Sequence, residues 1–130
     1  MSAVLMDSHV LHWWSSQPGR LSRAATRALE RADQLLVSSV SWYELAWLAQ
    51  HERIIVPRPI IAWLEELSQD VLTINSTPAI AVTAATLPTS FPRDPADRVI
   101  FATAIEQGCQ LVTQDERMRH HPYPRKIAIW

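Results

Sequence analysis

The sequence has few of the residues that cross-link or interrupt a small domain. Cys109 is the only cysteine among 130 residues, so an intramolecular disulfide and a cysteine-rich zinc site are both excluded. Only two glycines occur, Gly19 and Gly108, and we find no internal repeat, low-complexity tract or linker. An uninterrupted chain of this length predicts a single domain over residues 1–130, large enough to fold around its own core.

Long hydrophobic runs and bulk charge are also lacking. No apolar run approaches the roughly 20 residues that a membrane span needs. The first residues carry no basic segment and Asp7 interrupts the early apolar run, so we expect no signal peptide and a cytoplasmic location. The net charge of −1 excludes a strong basic field for gathering nucleic acid. Lys126 is the only lysine, and the other basic residues are arginines, whose planar groups suit phosphate and carboxylate.

What the sequence does contain is an alternation of short apolar runs and helical patterns. Apolar runs typical of strands occupy residues 4–6, 35–37, 71–74, 110–113 and 126–130. Helical patterns lie at residues 8–14, 22–32, 41–50, 60–67, 77–87 and 95–107. Strands separated by helices predict an α/β fold, a three-layer sandwich with a mainly parallel central sheet flanked by helices.

Acidic residues follow the predicted strands at one edge of this sheet. Asp7 follows the first strand and Asp115 the fourth, while Glu44 lies in the first turn of the helix after the second strand. Asp94 and Asp97 open the helix that follows a proline-rich loop. Ligands of such sheets bind beyond the carboxyl ends of the strands. Clustered carboxylates repel one another, and a hard divalent cation, Mg²⁺ or Mn²⁺ rather than zinc, relieves that repulsion. Such a site favours metal-assisted phosphodiester hydrolysis.

Each acid also has a purely structural explanation. Asp7 can cap the helix that follows it, and Asp94 before a proline is a favourable N-cap. Ser41 and Glu44 have the spacing of a capping box, in which the glutamate reaches back to the serine N–H. Asp115 can begin a short turn. These explanations hold for single residues, whereas the convergence of all the acids on one edge favours a site.

Four segments in order resemble the motifs of PIN-domain proteins, and of VapC-type toxins in particular. They are DSHV from residue 7, VSWYEL from residue 40, RDPADRVIFATA from residue 93 and LVTQD from residue 111. The third segment is the closest match. Together the segments span nearly the whole chain, so the resemblance implies a PIN-like fold over its full length.

The resemblance also implies a function and its residues. PIN-domain toxins of this type are metal-dependent ribonucleases, so we expect RNA hydrolysis by a water that Mg²⁺ or Mn²⁺ activates. The family's acidic quartet, which is both metal-binding and catalytic, carries over to Asp7, Glu44, Asp97 and Asp115. Thr113 carries over as the hydroxyl that supports the site.

Three further residues beside the third motif have predicted roles. Asp94 matches an acid common in this subgroup, and we interpret it as a helix cap with a supporting role at the site. Arg93 and Arg98 are candidate contacts for the RNA phosphates, with ordinary solvated arginines as the alternative interpretation.

The tryptophans raise the question of a partner. There are six, and the third predicted helix is apolar on two sides, with Trp42, Leu45 and Ala49 on one face and Tyr43 and Trp47 on another. Such a helix is either wholly buried or packs its second face against a partner. The resemblance implies that this neighbourhood forms a groove for an antitoxin protein and that chains pair into homodimers.

Two other functions share parts of this pattern. A receiver-like, Mg²⁺-binding signalling domain also has an α/β sheet and clustered acids, but it usually carries a second acid after the first strand and a lysine after a late one. Here Met6 precedes Asp7, and Lys126 begins the last predicted strand. An inactive PIN-fold binding module is the other alternative, against which the intact set of four acids counts. Metal-dependent RNA cleavage distinguishes all three.

Overall fold

A single parallel sheet forms the centre of the protein. The computed structural model describes residues 2–122 and 124–130, and within them five strands pair in the order β3-β2-β1-β4-β5, all parallel. They are β1 (Ala3–Met6), β2 (Gln34–Ser38), β3 (Leu72–Ile74), β4 (Gln110–Val112) and β5 (Ala128–Ile129). The predicted α/β fold with a mainly parallel sheet is confirmed.

Helices connect the strands and begin where the sequence offers a cap. They are α1 (Ser8–Ser16), α2 (Arg23–Arg31), α3 (Ser39–Gln50), α4 (Ile60–Ser68), α5 (Pro78–Ala85), α6 (Pro95–Gln107) and α7 (Glu116–Arg119). The hydroxyls of Ser22 and Thr77 accept the N–H groups of Ala25 and Ile80 at 3.0 and 3.2 Å. Gly108 ends α6 in the left-handed region, with φ of 64°, which a glycine adopts without strain.

The helices cover both faces of the sheet. Side chains of β1 alternate between two cores, with Val4 and Met6 on one side and Leu5 on the other. The first core packs against α1 to α4. The second packs against α6 and α7, with Phe101 of α6 at its centre, and α5 lies against α6. This is the predicted three-layer sandwich.

The strand order places a crevice between β1 and β4. The chain runs from β1 outward through β2 and β3, then returns to place β4 and β5 on the other side of β1. Met6 lies beside Val112 in the register, and the N–H of Asp7 donates to the carbonyl of Val112 at 3.0 Å. The carboxyl ends of β1 and β4 therefore form a topological switch point, where α/β folds bind ligands.

Helix α3 differs from its prediction. It begins at Ser39 rather than Ser41, because Ser38 at the end of β2 is the N-cap and accepts the N–H of Val40 at 3.3 Å. Ser41 thus lies inside the helix, where its hydroxyl faces that of Ser8 at 2.8 Å. The capping-box interpretation of Ser41 and Glu44 is therefore wrong.

Helix α5 also ends earlier than predicted, at Ala85 instead of residue 87. Pro88 follows closely, and a proline disfavours helical conformation in the residue before it. Helix α1, in contrast, continues two residues beyond its predicted end, to Ser16. Among the strands, β5 is shorter than the predicted run and comprises Ala128–Ile129.

Candidate active site

Asp7 is a buried carboxylate at the switch point. It follows β1 and is the N-cap of α1, and its Oδ1 accepts the N–H of Ser8 at 2.8 Å. Its Oδ2 accepts the hydroxyl of Thr113 at 2.6 Å and lies 3.5 Å from Nδ1 of His9. Both oxygens of Asp7 are thus positioned by neighbours, so the capping interpretation and a site role are compatible.

Thr113 links the carboxyl ends of β1 and β4. It is fully buried directly after β4, and its hydroxyl donates to Asp7 while accepting the N–H of Asp115 at 3.1 Å. One hydroxyl thereby positions two of the predicted acids. This is the location that the predicted supporting role of Thr113 requires.

Glu44 approaches the same crevice from α3. Its Oε1 accepts the hydroxyl of Ser8 at 2.6 Å, and Ser8 in turn lies 2.8 Å from the hydroxyl of Ser41. Burial raises the pKa of Glu44 above its ordinary value, and the charges of Asp7 and Asp94 add to the rise, although the bond from Ser8 opposes it. An acid placed in this way gains from a cation nearby.

Asp94 and Asp97 enter the site from the start of α6. Asp94 is the N-cap, and its Oδ1 accepts the N–H of Asp97 at 3.1 Å. Glu44, Asp94 and Asp97 each present one carboxylate oxygen, and these three oxygens lie within 4.8 Å of one another. Asp94 therefore both caps the helix and belongs to the group of acids whose oxygens lie close enough to share an ion.

Asp97 lies at the centre of the acidic cluster. Its pKa is raised to about 7, first by burial and then by the charges of the other four acids, which are Asp7, Asp94, Asp115 and Glu44. The structure thus brings together every acid that the sequence placed at this edge of the sheet. Mutual repulsion of this kind is what a divalent cation relieves.

Asp115 is paired with an arginine. It is the N-cap of α7 and accepts the N–H of Arg117 at 2.9 Å. The guanidinium of Arg117 donates to both oxygens of Asp115, at 3.3 and 2.9 Å, and to Oδ2 of Asp97 at 3.4 Å. Burial alone would raise the pKa of Asp115, but the bonds from Arg117 outweigh it and hold that pKa below its ordinary value.

The chemistry of this donor set fits a hard divalent cation. Carboxylate oxygens supply the three closely placed donors, and oxygen ligands suit Mg²⁺ and Mn²⁺, whereas zinc sites favour nitrogen and sulfur. The neighbouring imidazole of His9 is engaged elsewhere, since its Nε2 accepts the N–H of Gln114 at 3.2 Å. The cluster is therefore a candidate metal centre.

The two arginines predicted to contact phosphate lie in different surroundings. Arg93 is exposed next to Asp94. The guanidinium of Arg98 instead turns into the protein and donates to four backbone carbonyls, at 2.9 to 3.3 Å, which belong to Ala84, Leu87, Pro88 and Pro92. This geometry favours a structural role for Arg98, which anchors the loop between α5 and α6, over a phosphate contact.

Sequence reasoning missed Ser8, His9 and Arg117 as contributors to the site. Ser8 and His9 directly follow Asp7 on the first turn of α1, so their proximity to the acid was a usable signal. The contact of His9 with the Gln114 backbone joins α1 to the loop that carries Asp115. For Arg117 the sequence contained only its spacing of two residues from Asp115, which is common on exposed turns.

Helix α3 presents a second apolar face next to the acids. Leu45 is fully buried, whereas the side chains of Tyr43 and Trp47 are 69% and 40% exposed, as the two-sided pattern predicts. One apolar cavity lies between this face and the start of α6, with Glu44 and Asp94 at its rim. Another lies between α3 and α4. The exposed aromatic face, defined by Tyr43 and Trp47, thus borders the acidic cluster.

One further structural property concerns membranes. Across residues 2–122 and 124–130, the helices are all too short or too polar to cross a bilayer.

Comparisons with known proteins agree on a family. The sequence profile of the PIN domain matches residues 4–122. Ribonuclease VapC22 from Mycobacterium tuberculosis is 55% identical over 130 residues, which is 100% of both chains.

Similar solved structures include three toxin–antitoxin assemblies. DNA-bound VapBC from Salmonella typhimurium superposes with a TM-score of 0.74 at 18% identity, covering 98% of each chain. VapBC2 from Rickettsia felis, bound to a promoter DNA fragment, has a TM-score of 0.71 at 14% identity, covering 97% of this chain and 96% of that one. A toxin–antitoxin complex from Klebsiella pneumoniae has a TM-score of 0.68 at 22% identity, covering 92% of each chain. At these identities the likeness concerns the fold.

Proposed function

The chain belongs to the PIN domain family, and on this premise we propose that it is a metal-dependent endoribonuclease, the toxin of a type II toxin–antitoxin pair. The observation that carries the proposal is the convergence of four carboxylates on Asp97 at the switch point of the sheet. The full-length identity of 55% to a ribonuclease supports it. The chain, on this view, forms one catalytic domain from residue 1 to residue 130.

We assign metal binding and catalysis to Asp7, Glu44, Asp97 and Asp115, and we add Asp94 to the metal-binding set. The reason for adding Asp94 is that its carboxylate lies within 4.8 Å of those of Glu44 and Asp97. When bound, Mg²⁺ or Mn²⁺ would lower the pKa of a water nucleophile and offset charge on the phosphoryl group.

The protein's own contribution is to hold the acids in place before RNA arrives. Thr113 positions Asp7 and Asp115, and Ser8 positions Glu44 through a bond of 2.6 Å. Such preorganised groups act without rearranging during the reaction. Arg93 is exposed beside the acids and is the better placed of the two predicted phosphate contacts.

Two macromolecular partners follow from this function. RNA is the substrate, and a cognate antitoxin protein is the inhibitor. We place the antitoxin on the exposed aromatic face of α3, because Tyr43 and Trp47 border the acids that an inhibitor must shield. We also expect the chain to form homodimers.

The two alternative functions lose support. Membership of the PIN domain family replaces the receiver-like interpretation. The residue that would be the second acid of a receiver, Met6, is fully buried in the core, and Lys126 is exposed. An inactive binding module would have no reason to keep five mutually repelling acids together, since each costs stability unless a cation is bound.

Cleavage of RNA in the presence and absence of metal tests the proposal. The purified chain should cut a single-stranded RNA oligonucleotide with Mg²⁺ or Mn²⁺ and stop when a chelator is added. Asp97→Asn should abolish cutting, and Glu30→Gln, an exposed acid on α2, serves as the matched control that retains it. Equal cleavage by wild type and Asp97→Asn would refute the assignment of the site.

A further inference from the structure

Arg117 occupies the acidic cluster as a cation supplied by the chain itself. Its guanidinium contacts both oxygens of Asp115, and the same Nη2 group that lies 2.9 Å from Asp115 Oδ2 also lies 3.4 Å from Asp97 Oδ2. The two carboxylates come from separate parts of the chain, one from the first turn of α6 and the other from the loop after β4. Arg117 therefore bridges the two elements that supply the acids.

This bridge uses the same atoms that a metal ion needs. A guanidinium and a divalent cation both require lone pairs of the carboxylate oxygens, and both are favoured by the same negative potential. A divalent ion carries twice the charge and binds oxygen directly, so it wins the competition at sufficient concentration. The concentration required depends on how strongly Arg117 holds the carboxylates.

Arg117 is also free to leave. Its side chain is 63% exposed, whereas those of Asp97 and Asp115 are 16% and 19% exposed. Moving the guanidinium into solvent leaves no buried charge behind on the arginine, and a bridge this exposed is weak. Arg98 offers a contrast, because its four bonds to backbone carbonyls hold it in place.

We propose that Arg117 is an internal counter-ion of the metal centre, which a divalent cation displaces from Asp97 and Asp115 and which then binds a phosphate of the RNA. The inference rests on the proposed function. The released guanidinium stays tethered beside the acids by α7, and its planar fork suits a phosphate as well as a carboxylate. Arg117 thus sets the metal concentration at which the site fills and contributes to substrate binding afterwards.

The first experiment measures metal binding without RNA. Chelator-treated wild type, Arg117→Gln, Arg117→Lys and Arg119→Gln are titrated with Mn²⁺ while thermal unfolding is followed. Arg119→Gln is the matched control, because it removes an equal charge from the same short helix. The midpoint for Arg117→Gln should fall about twofold to fivefold below that of wild type, the range expected for loss of an exposed ion pair. Arg117→Lys should fall between, and Arg119→Gln should match wild type.

The second experiment measures the contribution to RNA binding. At saturating Mn²⁺, the KM for a single-stranded RNA oligonucleotide should rise about threefold or more in Arg117→Gln, because a charge-assisted contact to phosphate is lost. The change in kcat should be smaller than the change in KM. Arg119→Gln should leave both constants unchanged.

The outcomes separate this inference from the proposed function. If wild type shows no Mn²⁺-dependent stabilisation and no cleavage, the proposed metal-dependent function fails. If wild type responds to Mn²⁺ but the midpoint of Arg117→Gln equals or exceeds that of Arg119→Gln, the counter-ion role is refuted. If the midpoint falls while KM stays constant, the transfer of Arg117 to the RNA phosphate is refuted.

Discussion

The hydroxyl of Thr113 donates to Oδ2 of Asp7 at 2.6 Å, joining two residues that lie 106 positions apart in the chain. The contact exists because β1 and β4 pair in parallel and end at the same level, with Met6 beside Val112. The same hydroxyl accepts the N–H of Asp115 at 3.1 Å. A single side chain therefore holds both acids at the switch point.

Removing this hydroxyl should damage both the fold and the site. Thr113→Val keeps the shape of the side chain but leaves Asp7 and the N–H of Asp115 without their shared partner, which should cost about 1–3 kcal/mol of unfolding free energy. Loss of such a supporting contact typically lowers metal affinity or activity about tenfold or more. Urea unfolding and Mn²⁺-dependent RNA cleavage measure the two effects. Thr113→Ser, which keeps the hydroxyl, is the control, and equal losses in both variants would mean that the hydroxyl is unimportant.

Two acids on the first turn of α6 should respond differently to serine. Asp94→Ser retains a capping oxygen, so the stability of the metal-free protein should stay within about 0.5 kcal/mol of wild type. Its Mn²⁺ midpoint should nevertheless rise, because the carboxylate near Glu44 and Asp97 is lost. Asp97→Ser should lose cleavage altogether. Thermal unfolding with and without Mn²⁺, together with an RNA cleavage assay, checks this; an active Asp97→Ser beside an inactive Asp94→Ser would reverse the two assignments.

His12 should make the protein less stable in mild acid. Burial, assisted by the charge of Arg20, holds the pKa of His12 below its ordinary value, so the folded state binds its proton less readily than the unfolded state. The contribution of neutral His12 is present above the unfolded pKa of about 6.5 and is lost as the pH falls through the lower folded pKa. His12→Gln should therefore flatten the dependence of unfolding free energy on pH below about 6.5.

The control for this prediction is His120→Gln, which changes an exposed histidine. Urea unfolding at a series of pH values in the presence of a chelator measures the dependence without interference from metal binding. A curve for His12→Gln that runs parallel to those of wild type and His120→Gln would contradict the prediction.

The two faces of α3 should separate folding from partner binding. Leu45 is fully buried, and Leu45→Ala should lower the unfolding free energy by about 2–5 kcal/mol. Trp47 is partly exposed and stacks on His51, with ring centroids 4.0 Å apart. Trp47→Ala should leave the chain folded and weaken association with the antitoxin by about 2 kcal/mol or more. Thermal unfolding and calorimetric binding to the antitoxin test this, and an unfolded Trp47→Ala chain would place Trp47 in the core.

Local signals in the sequence were sufficient for the elements and for the edge at which the acids gather. Asp94 before a proline, and Gly108 after an apolar helix, mark the ends of α6 because capping depends on neighbours within one turn. The acids converge because each follows a strand, and parallel strands bring their carboxyl ends to one edge. The start of α3 was less certain. Ser38 and Ser41 can both cap a helix, and only the contact of Ser41 with Ser8 distinguishes them.

Distances between remote elements were decided by the tertiary structure alone. The sequence placed Asp94 in a capping role, yet packing of α3 against α6 brings its carboxylate near that of Glu44. It offered Arg98 as a phosphate contact, yet the loop after α5 surrounds its guanidinium with carbonyls. It offered nothing for Arg117, which bridges Asp97 and Asp115. The physical reason is that hydrogen bonds and ion pairs form over about 3–4 Å, whereas sequence patterns specify only which face or edge a residue occupies.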